Sequence, residues 1–194
     1  MANKIKVVLF NGSPREKGNT YHCLKMVMNE LEKENIECEL IWLGLKGLKP
    51  CRECYSCADN QDKKCVMDDD RLNEYLGKML ESDGIVIGSP TFFSNVSSQT
   101  KALIDRAGIV SKVNDDILAK KVGAAVVAVR RGGAISVFDA INYFFLVNQM
   151  IVPGSSYWNL AIGLEPGDVE NDEEGVGTFE NLGKNMAWLL KKIK

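Results

Sequence analysis

Cys51, Cys54, Cys57 and Cys65 fall within fifteen residues of one another, in the stretch CRECYSCADNQDKKC. Three follow at successive intervals of three, and the fourth comes after seven intervening residues. Thiolates gathered this closely are a ligand set for a metal centre, and this spacing suits an iron–sulfur cube. Two other chemistries stay open. A tetrahedral Cys₄ zinc site is possible, although structural zinc usually draws on two separated CxxC pairs. A metal-free redox-thiol loop is the third. Cys23 and Cys38 lie among apolar neighbours and read as buried thiols packing like small hydrophobes.

The elements that position these thiols follow from the rest of the chain. Its 194 residues suffice for one α/β domain with a full core, with the cysteines in an inserted loop at about 44–70. A net charge of -2 gives no excess of cations to displace counterions from nucleic acid. The N-terminal run is too short for a secretion signal, and no stretch nears the roughly 18 apolar residues of a membrane helix. The expected location is cytoplasmic, where thiols stay reduced and a Cys cluster favours metal over disulfides.

Ile5–Phe10, Gly84–Gly88 and Val122–Val129 are continuous apolar runs, as in strands buried on both faces of a parallel sheet. Glu37–Leu43 reads as the second strand and Met150–Val152 as the opening of a fifth. Helical periodicity marks residues 19–34, 97–108, 135–148 and 179–193, and Asp70 is placed to cap a helix over 71–81. Within 97–108, Lys101, Asp105 and Arg106 are expected to face solvent or a partner. Glu165–Glu174 reads as a solvated acidic loop, and His22 as a helix-surface or packing residue. Alternation of strand and helix implies α/β architecture, a doubly wound parallel five-stranded sheet of order 2-1-3-4-5 with helices on both faces.

In such a sheet, ligands bind where strands one and three part. The loop after strand one, NGSPREKGNT, offers Ser13, Arg15, Asn19 and Thr20 beside a helix N-terminus, which is a phosphate cradle. It has neither the Lys-Ser/Thr ending of a P-loop nor GxGxxG. The loop after strand three, GSPTFFSNVS, combines a stiffening Pro90 with Phe92 and Phe93, which either flank a flat ring or pack in the core. A third loop, RRGG at 130–133, adds paired arginines.

Together GSPRxxGNT, GSPTFFSNVSSQTKALIDR and AVRRGG resemble the flavodoxin-like, NADPH-dependent FMN reductases over nearly the whole chain. With the cysteine loop, the chain resembles the iron–sulfur flavoproteins within that family. The resemblance implies a flavodoxin-like fold holding FMN and a [4Fe–4S] cluster. Electrons would pass from a donor such as ferredoxin through the cluster to the flavin, with oxygen, peroxide or quinones as acceptors. It carries the FMN phosphate to Ser13, Arg15, Asn19 and Thr20, and the flavin ring to Pro90, Thr91, Phe92, Phe93, Asn95 and Val96, with Arg131 and Gly132 nearby. It implies Cys51, Cys54, Cys57 and Cys65 as cluster ligands and a homodimer or homotetramer, and no side chain is assigned as catalytic. The longer arm before Cys65 departs from the CxxxCP ending of a bacterial ferredoxin.

Two other functions compete. One is an NAD(P)H-dependent FMN or quinone reductase with structural or zinc-binding cysteines, and the other a non-enzymatic flavin carrier or redox sensor. Lys46, Lys49, Arg52, Lys63 and Lys64 flank the cysteines and either greet an acidic ferredoxin or sit as solvated charges.

Overall fold

The computed structural model describes residues 4–45 and 47–194; Lys46 lies outside the described residues. In chain order the elements are β1 (Lys6–Asn11), α1 (Asn19–Lys33), β2 (Glu37–Trp42), α2 (Ser56–Asn60) and α3 (Leu72–Glu81). They continue with β3 (Gly84–Pro90), α4 (Ser98–Val113), β4 (Val122–Val129), α5 (Ala134–Val147), β5 (Leu160–Ile162) and α6 (Glu173–Ile193). All neighbouring strands pair in parallel, in the expected order β2-β1-β3-β4-β5.

Alternation along the strands divides the core into two layers. Val7 and Leu9 of β1 and Val86 of β3 pack with Leu24, Val27 and Leu31 of α1 and Phe179, Leu182 and Met186 of α6. Their neighbours Val8, Phe10, Ile85 and Ile87 face the opposite layer, where α3, α4 and α5 contribute Leu76, Leu103 and Phe145. Every residue of β4, and all but the ends of β1 and β3, is therefore buried. At one edge, β2 alternates and carries exposed Glu37 and Glu39, charges that discourage pairing with another chain.

The fifth strand differs from the expected position. Met150–Val152 supplies a single parallel bridge, Ile151 beside Val122, and the edge strand proper is Leu160–Ile162. Pro153, which has no N–H to donate, and Gly154 follow that bridge and break the pairing. Asn159 recloses the gap, its side-chain amide donating to Ala125 O at 3.0 Å.

Four further differences matter. The loop expected to be irregular contains α2. The terminal helix starts at Glu173, inside the expected acidic loop, because the Asp172 carboxylate caps it by accepting from Gly175 N–H. Lys101 and Asp105 form an exposed ion pair as expected, but Arg106 is fully buried. It stands three residues after Leu103 and four before Val110, so helical period places it on the buried stripe. Cys23 is buried as expected, whereas Cys38 is half-buried, and burial pushes its thiol up to about 12.

The Phe145 ring fills the space over Gly123, where a Cβ would lie 2.6 Å from it. Phe145→Ala is expected to lose about 3–5 kcal/mol of stability, read by equilibrium denaturation. An unchanged midpoint would show that this layer is not packed as described.

Candidate functional site

With the strand faces buried, the polar chemistry of this sheet gathers at its carboxyl ends. Gly12 lies where β1 opens into its loop, and its N–H donates to Gly88 O at 2.9 Å. The Ser97 hydroxyl donates to Gly12 O at 2.6 Å and accepts from Thr100 N, so one side chain caps α4 and ties it to the β1 loop. The loop is also braced internally. Asn11 accepts from Ser13 N–H and donates to Glu16 O, while the Ser13 hydroxyl accepts from Arg15 N–H.

A groove of about 220 Å³ opens at this edge. Ser13, Arg15, Asn19 and Thr20 line it from the first loop, and Pro90, Thr91 and Phe92 from the second. The N-terminus of α1 faces it with Gly18 as cap, no capping side chain and no acidic residue in the first turn. Its bare N–H groups and positive dipole end, with Arg15 beside them, form a site for an anion. The Thr20 and Thr91 hydroxyls are buried without a hydrogen-bond partner among the described residues. Such groups are costly unless a ligand completes them, so the groove fits a phosphorylated ligand with polar atoms.

The remaining expected residues lie differently. Phe92 to Asn95 form a two-residue turn closed by reciprocal backbone bonds of 2.9 and 3.0 Å, with positive φ at Phe93 and Ser94. Neither phenylalanine is core: Phe92 is half exposed on the groove wall, and Phe93 stands fully in solvent at the turn's tip. Asn95 serves the turn, and Val96 is buried in the core. Arg131 and Gly132 are exposed and off the groove lining, where Arg130 stands instead. Gly163 and Leu164, after β5, complete the wall. Sequence reading missed them because it placed the fifth strand ten residues early. Asn19 is partly committed to this wall, its side-chain Oδ1 accepting from Gly167 N–H at 2.8 Å.

A second cavity, of about 310 Å³, is lined by all four clustered cysteines and by Asp105, Arg106, Ile109 and Val110 of α4. The backbone that brings the thiols there is strained. Glu53, Tyr55, Gln61 and Lys63 all have positive φ, a region that L residues with side chains enter rarely. Neighbouring helices stitch the loop down. Gln61 donates to Val113 O at 2.6 Å, and Asn114 accepts from Lys63 N–H and donates to Cys57 O. Asn73 of α3 clamps Cys65 from both sides, accepting from its N–H at 2.8 Å and donating to its carbonyl at 2.9 Å.

Hydrogen bonds from the Ser56 backbone and hydroxyl pull the Cys54 thiol below its usual range. Burial, and then the charges of Cys65, Cys54 and Cys51, push that of Cys57 up. Among the described residues, no three His, Cys, Asp or Glu side chains converge on a point that would hold a metal ion. A cubane asks for a different arrangement, because each of its irons takes one thiolate and the sulfurs surround a cage. Four thiols line one cavity, so the donor type fits that demand.

The family model for NADPH-dependent FMN reductases matches residues 5–165. An iron–sulfur flavoprotein of Methanocaldococcus jannaschii is 41% identical over 197 residues, spanning 98% of this chain and 100% of that protein. Among solved structures, a WrbA-like flavodoxin from Agrobacterium tumefaciens superposes with a TM-score of 0.69 at 13% identity, over 99% of this chain and 100% of that one. RosB, crystallised with 8-demethyl-8-formylriboflavin-5'-phosphate, reaches a TM-score of 0.76 at 18% identity, over 97% of this chain and 80% of that one. The fold is flavodoxin-like.

A Cβ on Gly12 would lie 1.9 Å from Thr100 Oγ1 and 3.0 Å from Gly88 O, both held in place. Gly12→Ala is expected to cost about 1–3 kcal/mol by overpacking and to weaken flavin binding as the loop shifts. Denaturation and a flavin titration on one preparation check both, and wild-type values in both would refute the close approach.

Proposed function

The chain belongs to the NADPH-dependent FMN reductase family, and from that premise we propose an oxidoreductase that carries FMN in the groove and a [4Fe–4S] cluster in the cysteine cavity. It takes electrons from a protein donor of the ferredoxin type and delivers them to a small acceptor such as oxygen, peroxide or a quinone. The observation that carries this reading is that four thiols line one cavity, walled by the same helix whose N-cap holds the FMN-type loop. The iron–sulfur flavoprotein relative supports it.

On this reading the α1 N-terminus, Arg15 and Ser13 hold the phosphate, and the Thr20 and Thr91 hydroxyls gain the partners they lack. Phe92 flanks the ring, and Arg130, rather than Arg131, supplies a positive charge at the groove. Cys51, Cys54, Cys57 and Cys65 hold the cluster. FMN exchanges one or two electrons and a cubane one at a time, so a chain with both converts between one-electron and two-electron partners. The protein's share is to place and shield these groups. A donor meeting the cluster side would encounter Arg52 and Lys49, although Lys49 is already paired with Asp69. We also propose assembly as a homodimer or homotetramer.

Anaerobically purified protein is expected to contain iron and sulfide in equal amounts, close to four of each per chain, with a visible absorbance that dithionite bleaches. Zinc without iron or sulfide would overturn the cluster. Rapid flavin reduction by NADPH with no response to reduced ferredoxin would overturn the donor and favour a plain NADPH-dependent reductase.

Thr20→Val and Thr91→Val test the groove. Each is expected to weaken FMN binding about tenfold, the size of one hydrogen bond. The flavin-free protein should lose no stability, because each hydroxyl removed had no partner. Unaltered affinity in both variants would place the FMN elsewhere.

A further inference from the structure

Arg106 has a charge in the wrong place for a surface helix residue and the right place for a metal site. Its side chain is 0% exposed, and its ion-pair partner Asp70 is 5% exposed. Burying such a pair is costly and adds little stability over an apolar pair of the same volume, so a buried guanidinium calls for another role. Its donors show one. Nη1 donates to Lys49 O at 3.2 Å and to the Asp70 carboxylate. Nη2 donates to Met67 O at 3.1 Å and to Cys65 Sγ at 3.4 Å. All four terminal N–H groups thus meet the chain at the two ends of the cysteine run. Nε–H has no acceptor among the described residues, so the guanidinium enters the cavity wall with donor capacity left over.

We propose that Arg106 is a positioning residue for the four-cysteine site, which fixes Cys65 as the fourth ligand and sets the site's reduction potential. This rests on the cluster reading above. Cys65 is the ligand at the end of the long arm. Asn73 fixes its backbone, and Arg106 is the contact that fixes its sulfur. A donor on a ligand sulfur, with a cation behind it in a dry site, favours the more negative reduced form. Removing it lowers the potential. Asp70 offsets the net charge, so the directed hydrogen bond carries much of the effect. Burial alone would lower the Asp70 carboxyl's readiness to ionise, but bonds from Arg106, Lys49 N–H and Leu72 N–H hold it below the usual carboxylate range.

Two variants separate this role from a structural one. R106K keeps the charge opposite Asp70 but cannot span four acceptors. D70N/R106Q removes both charges, so that neither is left buried alone. With folding checked by circular dichroism, the measurements are iron content and the midpoint potential from a titration followed by electron paramagnetic resonance. Both variants are expected to shift the one-electron equilibrium about tenfold toward the oxidised form, which is 59 mV more negative, and to lose iron from the fourth position. A lower melting temperature with wild-type potential and iron would mean that Arg106 only holds the fold, and would overturn the proposal. Wild-type protein without iron and sulfide would overturn the cluster reading and this one with it. Cluster-bearing wild type indistinguishable from both variants would overturn this one alone.

Discussion

A sheet whose central strands are buried on both faces has only its ends left for chemistry. β4 exposes no side chain, and β1 and β3 expose theirs only at their ends, so no polar group can act from the strands themselves. Backbone donors and acceptors inside the sheet are consumed by the ladder. What is free is the set of loops at the carboxyl edge, where helix N-termini also point, and the groove forms there. Gly12 enforces the arrangement. At Gly12 the β1 loop approaches β3 and α4 too closely for any side chain, so the loop is seated directly on both.

Through α4 that seating extends to the cysteine site. At its N-cap, Ser97 bonds the β1 loop, and nine residues on, Arg106 bonds the cysteine loop. At 1.5 Å per residue these contacts lie about 14 Å apart along the helix. One rigid rod therefore spaces the two proposed cofactor sites. Asn114, at the far end of the same helix, holds Cys57. A loop of nearly thirty residues between β2 and α3 is thus positioned mainly by an element later in the chain, which has no sequence signature.

Much was legible beforehand. Uninterrupted apolar runs at Val122–Val129 and Gly84–Gly88 could only be strands covered on both faces, and strand order followed from parallel crossovers. Seven of the proposed flavin residues line one groove because they lie at the carboxyl ends of β1 and β3. Elsewhere, residue type was weighed above period. The charge of Arg106 points to solvent or a partner, although its spacing from Leu103 and Val110 puts it on the buried stripe. At the RRGG loop, two adjacent arginines point to different surroundings, and only backbone geometry shows that the first reaches the groove. β5 was hidden by its length of three residues, which is too short for any period to register. No sequence pattern exposes the left-handed residues around the cysteines, since Glu, Tyr, Gln and Lys carry no preference for that region.

Those residues set the energetics of the site. Four side-chain-bearing residues in the left-handed region cost about 1–2 kcal/mol each, so about 4–8 kcal/mol in all. Six hydrogen bonds from Gln61, Lys63, Cys65, Asn73 and Asn114 offset this, at about 0.5–1.5 kcal/mol apiece, or about 3–9 kcal/mol. The two sums nearly cancel. Further bonds come from Arg106, to Lys49 O, Asp70, Met67 O and Cys65 Sγ, and Leu48 and Cys57 join the core. Bonds to thiolates are worth more than either sum; structural zinc sites reach about 10–16 kcal/mol. A loop strained at this level gains stability from any ligand that its four sulfurs bind. On the proposed reading, the cluster would add its bonds to those of the packed loop and hold the strained residues in place.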